Sequence, residues 1–201
     1  MKQSLRTLLV AALTLTLTLP ALTAAETWVL DVPHTVSGFT VRHMMITNVT
    51  GVFEATKGTI EYTLGDPGSI KADIAIETKS VNTRISRRDD DLRSNNFFNA
   101  EKHPAITFKS KRVQNARPEG FELVGDLTIR DVTREVVLKV EGPTPPIRDP
   151  QGNRRVGANA TTTINRKDFG VSWHRAIEAG GVVVSDEVKI NIEIEAVEKK
   201  G

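Results

Sequence analysis

The sequence predicts an all-β domain of antiparallel strands, either closed into a barrel or stacked as a sandwich, with one helical insertion. Three observations predict it: apolar and polar side chains alternate along segment after segment, turn residues separate those segments, and alternation stops in one internal stretch. Side chains repeat every two residues only on a strand, so each alternating segment carries one buried face. A face that stays wet suits antiparallel sheets, whereas parallel sheets need near-continuous apolar runs.

The chain opens with Lys2 and Arg6, an apolar run from Leu8 to Leu22, and the small residues Thr23-Ala24-Ala25 before Glu26. That order is a secretory signal, with cleavage expected after Ala25. The run is shorter than the ~20 apolar residues a spanning helix needs, and threonines interrupt it. Loss of residues 1–25 removes Lys2 and Arg6 and leaves basic and acidic side chains equal in number. Nucleic-acid binding needs a cationic surplus to displace phosphate counterions, and this chain has none. Cysteine is absent, so neither disulfides nor thiol chemistry contribute, and the fold must rest on its core. Residues 26–201 suit one domain.

In chain order, strands are expected at 27–31, 35–45, 51–55, 58–64 and 69–78, then at 104–113, 120–130, 134–141, 155–165 and 186–197, some of them merging into eight or nine. The clearest are Phe121, Leu123, Gly125, Leu127 and Ile129 against Glu122, Asp126, Thr128 and Arg130, and Val188, Ile190, Ile192, Ile194 and Ala196 against Lys189, Asn191, Glu193 and Glu195. The same period runs through Ile60-Tyr62-Leu64, Ile70-Ala72-Ile74-Ile76 and Val136-Leu138-Val140. Turns are expected at Gly65-Asp66-Pro67-Gly68, Pro118-Glu119-Gly120 and Asp149-Pro150-Gln151-Gly152-Asn153. Closure into a barrel removes exposed strand edges. Small residues on the apolar faces (Ala72, Gly125, Ala158, Ala160, Ala196) fit a barrel with a cavity, and equally the taper of a filled one.

Residues 83–103 break the alternation and read as one or two short helices, with Ser86 and Asp89 forming a capping box. Placed between two strands, with Phe97-Phe98 near its end, this segment reads either as a cover for one barrel mouth or as a helical connection that its phenylalanines anchor. The histidines His34, His43, His103 and His174 are scattered, without the close pairing of a metal site. No Gly-x-Ser-x-Gly elbow or phosphate-cradling loop is present, and Asp89 to Asp91, being consecutive, diverge on a helix. Asn165-Arg166-Lys167-Asp168-Phe169-Gly170 reads as a turn fixed by hydrogen bonds. Nothing here forms a catalytic constellation.

Four stretches carry a resemblance: WVLDVPHTVSGFTVRHMMITNVTGVF at 28–53, SVNTRISRRDDDLRSNNFFNAEKHPAITFKS at 80–110, GDLTIRDVTREVVLKV at 125–140, and ATTTINRKDFGVSW at 160–173 followed by GGVVVSDEVKINIEIEA at 180–196. Together they resemble the YceI-like family of polyisoprenoid-binding periplasmic proteins. The resemblance implies an extended lipocalin-like eight-stranded antiparallel β-barrel with a short helical insertion. It further implies an apolar tunnel for a long-chain isoprenoid or similar lipid, in some members a quinone tail, held for transport, storage or stress response. Ser37, Asp91, His103 and Ala158 depart from the family's usual residues at interior or mouth positions.

On that reading the ligand contacts are Phe39, Val41, His43, Ile74, Phe97, Phe98, Ile106, Phe108, Leu127, Ile164 and Trp173. Arg88, Arg93, Asp168 and His174 are candidates for a polar head group. The expected partner is an apolar long-chain lipid, with transient membrane contact and a homodimer as further expectations. No cofactor other than a bound isoprenoid lipid or quinone, no metal and no enzymatic activity are expected. The rival is a filled barrel that serves as a stress-response or interaction module.

Overall fold

The computed structural model describes residues 24–117, 119–178 and 180–200. Residues 1–23 of the expected signal segment 1–25, together with Pro118, Ala179 and Gly201, lie outside the described residues. The strands are β1 (Glu26–Leu30), β2 (Val36–His43), β3 (Thr47–Phe53), β4 (Thr56–Thr63), β5 (Asp66–Glu77), β6 (Val81–Asn82), β7 (Ala105–Arg117), β8 (Gly120–Ile129), β9 (Val132–Glu141), β10 (Ile147–Arg148), β11 (Arg154–Asn165) and β12 (Val184–Glu198), with one helix, α1 (Ser86–Arg93), between β6 and β7.

Strands β1 and β2 run end to end along β12, where Val29 faces Val197 and Val41 faces Val188, and a 3-10 turn at Val32–His34 kinks the line between them. Strands β4 and β3 follow the same line on the other side. These two kinked pairs, with β5, β7, β8, β9, β11 and β12, make eight antiparallel staves, and β12 returns to β1 and β2 to close the barrel. The decision between barrel and sandwich is therefore for the barrel. One seam is thin: β9 meets β11 through only Asn159–Glu141, Ala160–Val140 and Thr161–Lys139.

Every alternating face read from the sequence turns inward. Phe121, Leu123, Leu127 and Ile129 are buried, as are Ile70, Ala72, Leu138, Val140 and Ala196. Gly125 keeps this row compact, because a Cβ there would lie 2.5 Å from the Phe108 ring. Some expected bounds need adjusting, and the short strands β6 and β10 were not expected. The β4–β5 turn is confined to Leu64-Gly65, since Asp66, Pro67 and Gly68 already belong to β5. Strand β3 begins at Thr47, four residues earlier than its polar start suggests, because pairing with β2 overrides side-chain pattern there.

The insertion contains one helix, and the capping box is not formed: the N-cap is Ile85 and makes no side-chain cap. Asp89 is instead buried and accepts hydrogen bonds from the Thr83 backbone N (2.8 Å) and hydroxyl. Asn165-to-Gly170 is the hydrogen-bonded turn expected: Asn165 Oδ1 accepts from Lys167 N at 2.9 Å, and Gly170 ends it at φ +73°.

Candidate ligand-binding cavity

Following the strands around the barrel puts the β2–β3 turn, the 78–104 segment, the Arg130-Asp131 turn and residues 166–183 at one end, called here the upper end. The N-terminus of β1, the β4–β5 turn and residues 142–153 gather at the other. Between them runs a cavity of about 440 Å³, within the range of small-molecule pockets. Its lining on β12 extends from Val184 to Ala196. At ~3.3 Å per residue and a tilt near 40°, that span is roughly 30 Å along the barrel axis. The void is long and narrow, and its wall is almost wholly hydrocarbon.

Phe39, Val41, His43, Ile74, Phe97, Phe98, Ile106, Phe108, Leu127, Ile164 and Trp173 all line it. The aromatic residues of the insertion reach inward from the upper end. Phe98 meets Phe53 edge-on with centroids 5.5 Å apart, Phe53 meets Phe39 at 5.7 Å, and Phe97 lies 5.5 Å from Trp173. Arg130 Nη1 donates to the carbonyls of Phe97 (2.9 Å) and Gly170 (3.0 Å), tying the insertion to the 166–173 segment.

The head-group candidates divide. Arg88 lines the upper part of the cavity and also donates to the Thr83 hydroxyl and carbonyl, both at 2.7 Å. Arg93, Asp168 and His174 do not line it. Arg93 is spent on the carbonyls of Lys79 (2.9 Å) and Val81 (2.7 Å) and on Asp90. Asp168 sits on the outer side of its 3-10 turn, and His174 is exposed beyond Trp173.

Sequence reasoning named Phe39, Val41, His43 and Ile164 on the β2–β12–β11 wall and passed over its β12 residues. Inward residues of β8, with Ile106 and Phe108 on β7, are buried, whereas Phe39 and Val41 on β2, Ala158 on β11, and Val188, Ile190, Ile192 and Ile194 on β12 are only half-buried although they point inward, as are Ile60, Ile74, Ile76 and Val136 on β4, β5 and β9. The void therefore runs along the β2–β12–β11 wall and also reaches half-buried residues of β4, β5 and β9. Alternation had marked this row as apolar; what it could not mark is which apolar row has nothing packed on it. Ser37, also on this lining, satisfies its hydroxyl against Thr56 Oγ1 at 2.8 Å, and a polar residue is thus accommodated without an unmet hydrogen bond. Arg166 is a second omission. It is buried beside the cavity, with Nη1 on the Val171 carbonyl (2.6 Å), Nε on that of Ser185 (3.0 Å) and Nη2 on Asp186 (2.9 Å). Burial lowers its pKa and Asp186 opposes that shift; an arginine stays charged regardless.

Among the described residues, one group of metal-ligating side chains gathers: Asp31, His34 and Glu195, on the outside of the barrel. The Arg155 guanidinium already sits among these carboxylates, pairing with Asp31, Glu195 (2.6 Å) and Asp149 (2.8 Å). An arginine in that place neutralises the charge a cation would need. His103 is buried, with Nδ1 3.0 Å from Asp131 Oδ2 but out of line for a hydrogen bond.

A closed antiparallel barrel around an apolar void defines the molecule as a lipocalin-like barrel, in which hydrocarbon, more than charge, lines the candidate site. The chain belongs to the YceI-like family, whose domain profile matches residues 28–196. It is 32% identical over 165 residues to a UPF0312 protein of Staphylococcus aureus (strain MSSA476), covering 82% of this chain and 94% of that protein. The Campylobacter jejuni YCEI protein has a similar structure, at 31% identity and TM-score 0.68, covering 79% of this chain and 90% of the other. Two more distant structures share the fold: Burkholderia cenocepacia BcnA (18% identity, TM-score 0.70, 83% and 98% covered) and a polyisoprenoid binding domain from Saccharophagus degradans (17%, 0.62, 87% and 99%).

Proposed function

We propose that this protein is an exported, non-enzymatic container that holds one long-chain apolar lipid, an isoprenoid or the tail of an isoprenoid quinone, in the barrel for transport, storage or stress response. The observation that carries the reading is the hydrocarbon-lined void along the β2–β12–β11 wall. The polyisoprenoid-binding description of a protein with the same fold supports the ligand class. A barrel filled by its own side chains and used purely as an interaction module would need a packed interior, and the void argues against it.

The energetics suit a carrier. Each buried methylene contributes ~0.8 kcal/mol, so about ten carbons gain ~8 kcal/mol against water, less several kcal/mol for immobilising the chain. Against a bilayer the gain is small, because the tail is already in hydrocarbon there. Affinity is thus high enough to keep a lipid from water and low enough to return it to a membrane.

Trp28 and Trp173 both line the cavity, on β1 and in the upper segment respectively. An isoprenoid quinone, titrated into delipidated protein, is expected to quench tryptophan fluorescence saturably at one equivalent. Comparing Trp28→Phe with Trp173→Phe then reports which end holds the quinone ring. Absence of saturable quenching, with polyprenol failing to compete, would refute the ligand class.

A further inference from the structure

The β2–β3 turn has the wrong residues for its geometry. Met44 and Met45 both take positive φ, 52° and 61°, where a tight hairpin ordinarily selects Asn and Gly. The conformation is nevertheless held: Met44 N donates to Val183 O (2.9 Å), Ile46 N to His43 O (3.0 Å) and Arg42 Nε to Met45 O (3.3 Å). The result is an apolar finger fixed in solvent, with Met44 37%, Met45 48% and Ile46 76% exposed. Folding alone gives no reason for three large apolar side chains here, where polar turn residues would be less strained.

Its position is specific. The finger springs from the cavity rim, since His43, Val183 and Val184 beside it all line the void. Arg42 is at its base, and the Arg175 carbonyl accepts from Val183 N in the adjoining hairpin. Arg84 and Arg87 flank the exposed Ile85 at the start of α1, on the same barrel end. All four arginines are exposed, and among the described residues none stands in an ion pair. Nearby acids are engaged, Asp90 with Arg93 and Asp186 with Arg166 and Lys167. Glu101, Asp131, Asp168, Glu178 and Glu187 also face solvent at this end, so the preference for negative charge is confined to the finger and its flanking arginines.

We infer that the upper end docks on an anionic lipid bilayer, with Met44, Met45 and Ile46 inserted at the headgroup boundary and the flanking arginines on lipid phosphates. Insertion there sets the cavity mouth against the membrane, so a lipid crosses between bilayer and barrel without meeting bulk water. The inference rests on the lipid-holding reading for its purpose, though not for its measurement.

The test is co-sedimentation of the purified protein with phosphatidylglycerol-containing vesicles. Wild type is compared with the triple variant Met44→Asn, Met45→Gly, Ile46→Thr, whose residues suit the turn and leave the cavity lining untouched. The variant is expected to bind vesicles roughly tenfold or more weakly, to melt no lower than wild type, and to quench normally with quinone. Vesicle binding without quinone uptake by wild type would sink the function and leave the docking standing. The docking is overturned if wild type does not sediment, if the variant sediments equally, or if the finger proves to be buried in a dimer that the variant dissolves. Equal binding to pure phosphatidylcholine vesicles would overturn the role given to the arginines.

Discussion

Arg155 shows how much one side chain settles at the residue scale. It faces Asp31 at the β1 exit, Asp149 in the β10–β11 turn and Glu195 on β12, so three separate stretches converge on one cation. The Arg155 hydrogen bond, opposed by desolvation and aided by Asn153, holds the Asp149 carboxyl down at about 2, below its ordinary value near 4. A carboxyl depressed in the folded state stabilises the fold above its unfolded pKa and loses that contribution as pH falls through the folded one. Arg155→Gln leaves three like charges together and should lower the melting temperature at pH 7. The gap from wild type should then close between about pH 4 and pH 2. A gap that stays constant over that range would assign the residue to packing, not charge. Ala158, half-buried on the open wall, gives the complementary prediction. Ala158→Phe should fill part of the void and shift the bound ligand to shorter chains while retaining the fold; an unchanged chain-length profile would displace the void from this wall.

At the scale of elements, the strands were legible and the insertion only partly so. Period-two alternation located the β8 and β12 faces because each core-facing row is continuous in sequence. Ser86 and Asp89 match a capping box in spacing alone, and the chain instead uses Asp89 to hold Thr83, a contact whose geometry no short motif specifies. Arg93 was likewise drawn to a ligand by its charge, whereas the orphan carbonyls of Lys79 and Val81 claim it. Pinned there, α1 leads into Phe97 and Phe98, whose rings meet Trp173 and Phe53 at the upper end of the cavity. Substituting Phe97→Ala with Phe98→Ala should speed transfer of a fluorescent polyprenol to acceptor vesicles by roughly tenfold or more. Unchanged transfer would make the pair an anchor for the insertion and nothing more.

For the whole molecule, closure was favoured by the number of antiparallel strands, but the hollow centre was not written in any one of them. Ala72, Ala158, Ala160 and Ala196 all line the cavity, yet Ala158 is half-buried while Ala72, Ala160 and Ala196 are buried. That difference depends on which residues oppose them across the barrel, a relation between distant strands. Native mass spectrometry of protein purified from the envelope of the producing cell, followed by lipid extraction, tests this most directly. Wild type should carry one equivalent of a long-chain isoprenoid or similar lipid, and Leu127→Arg, which sets a charge in the void, should carry none. A wild type that flies empty, or a Leu127→Arg protein that keeps the same lipid, would contradict the account.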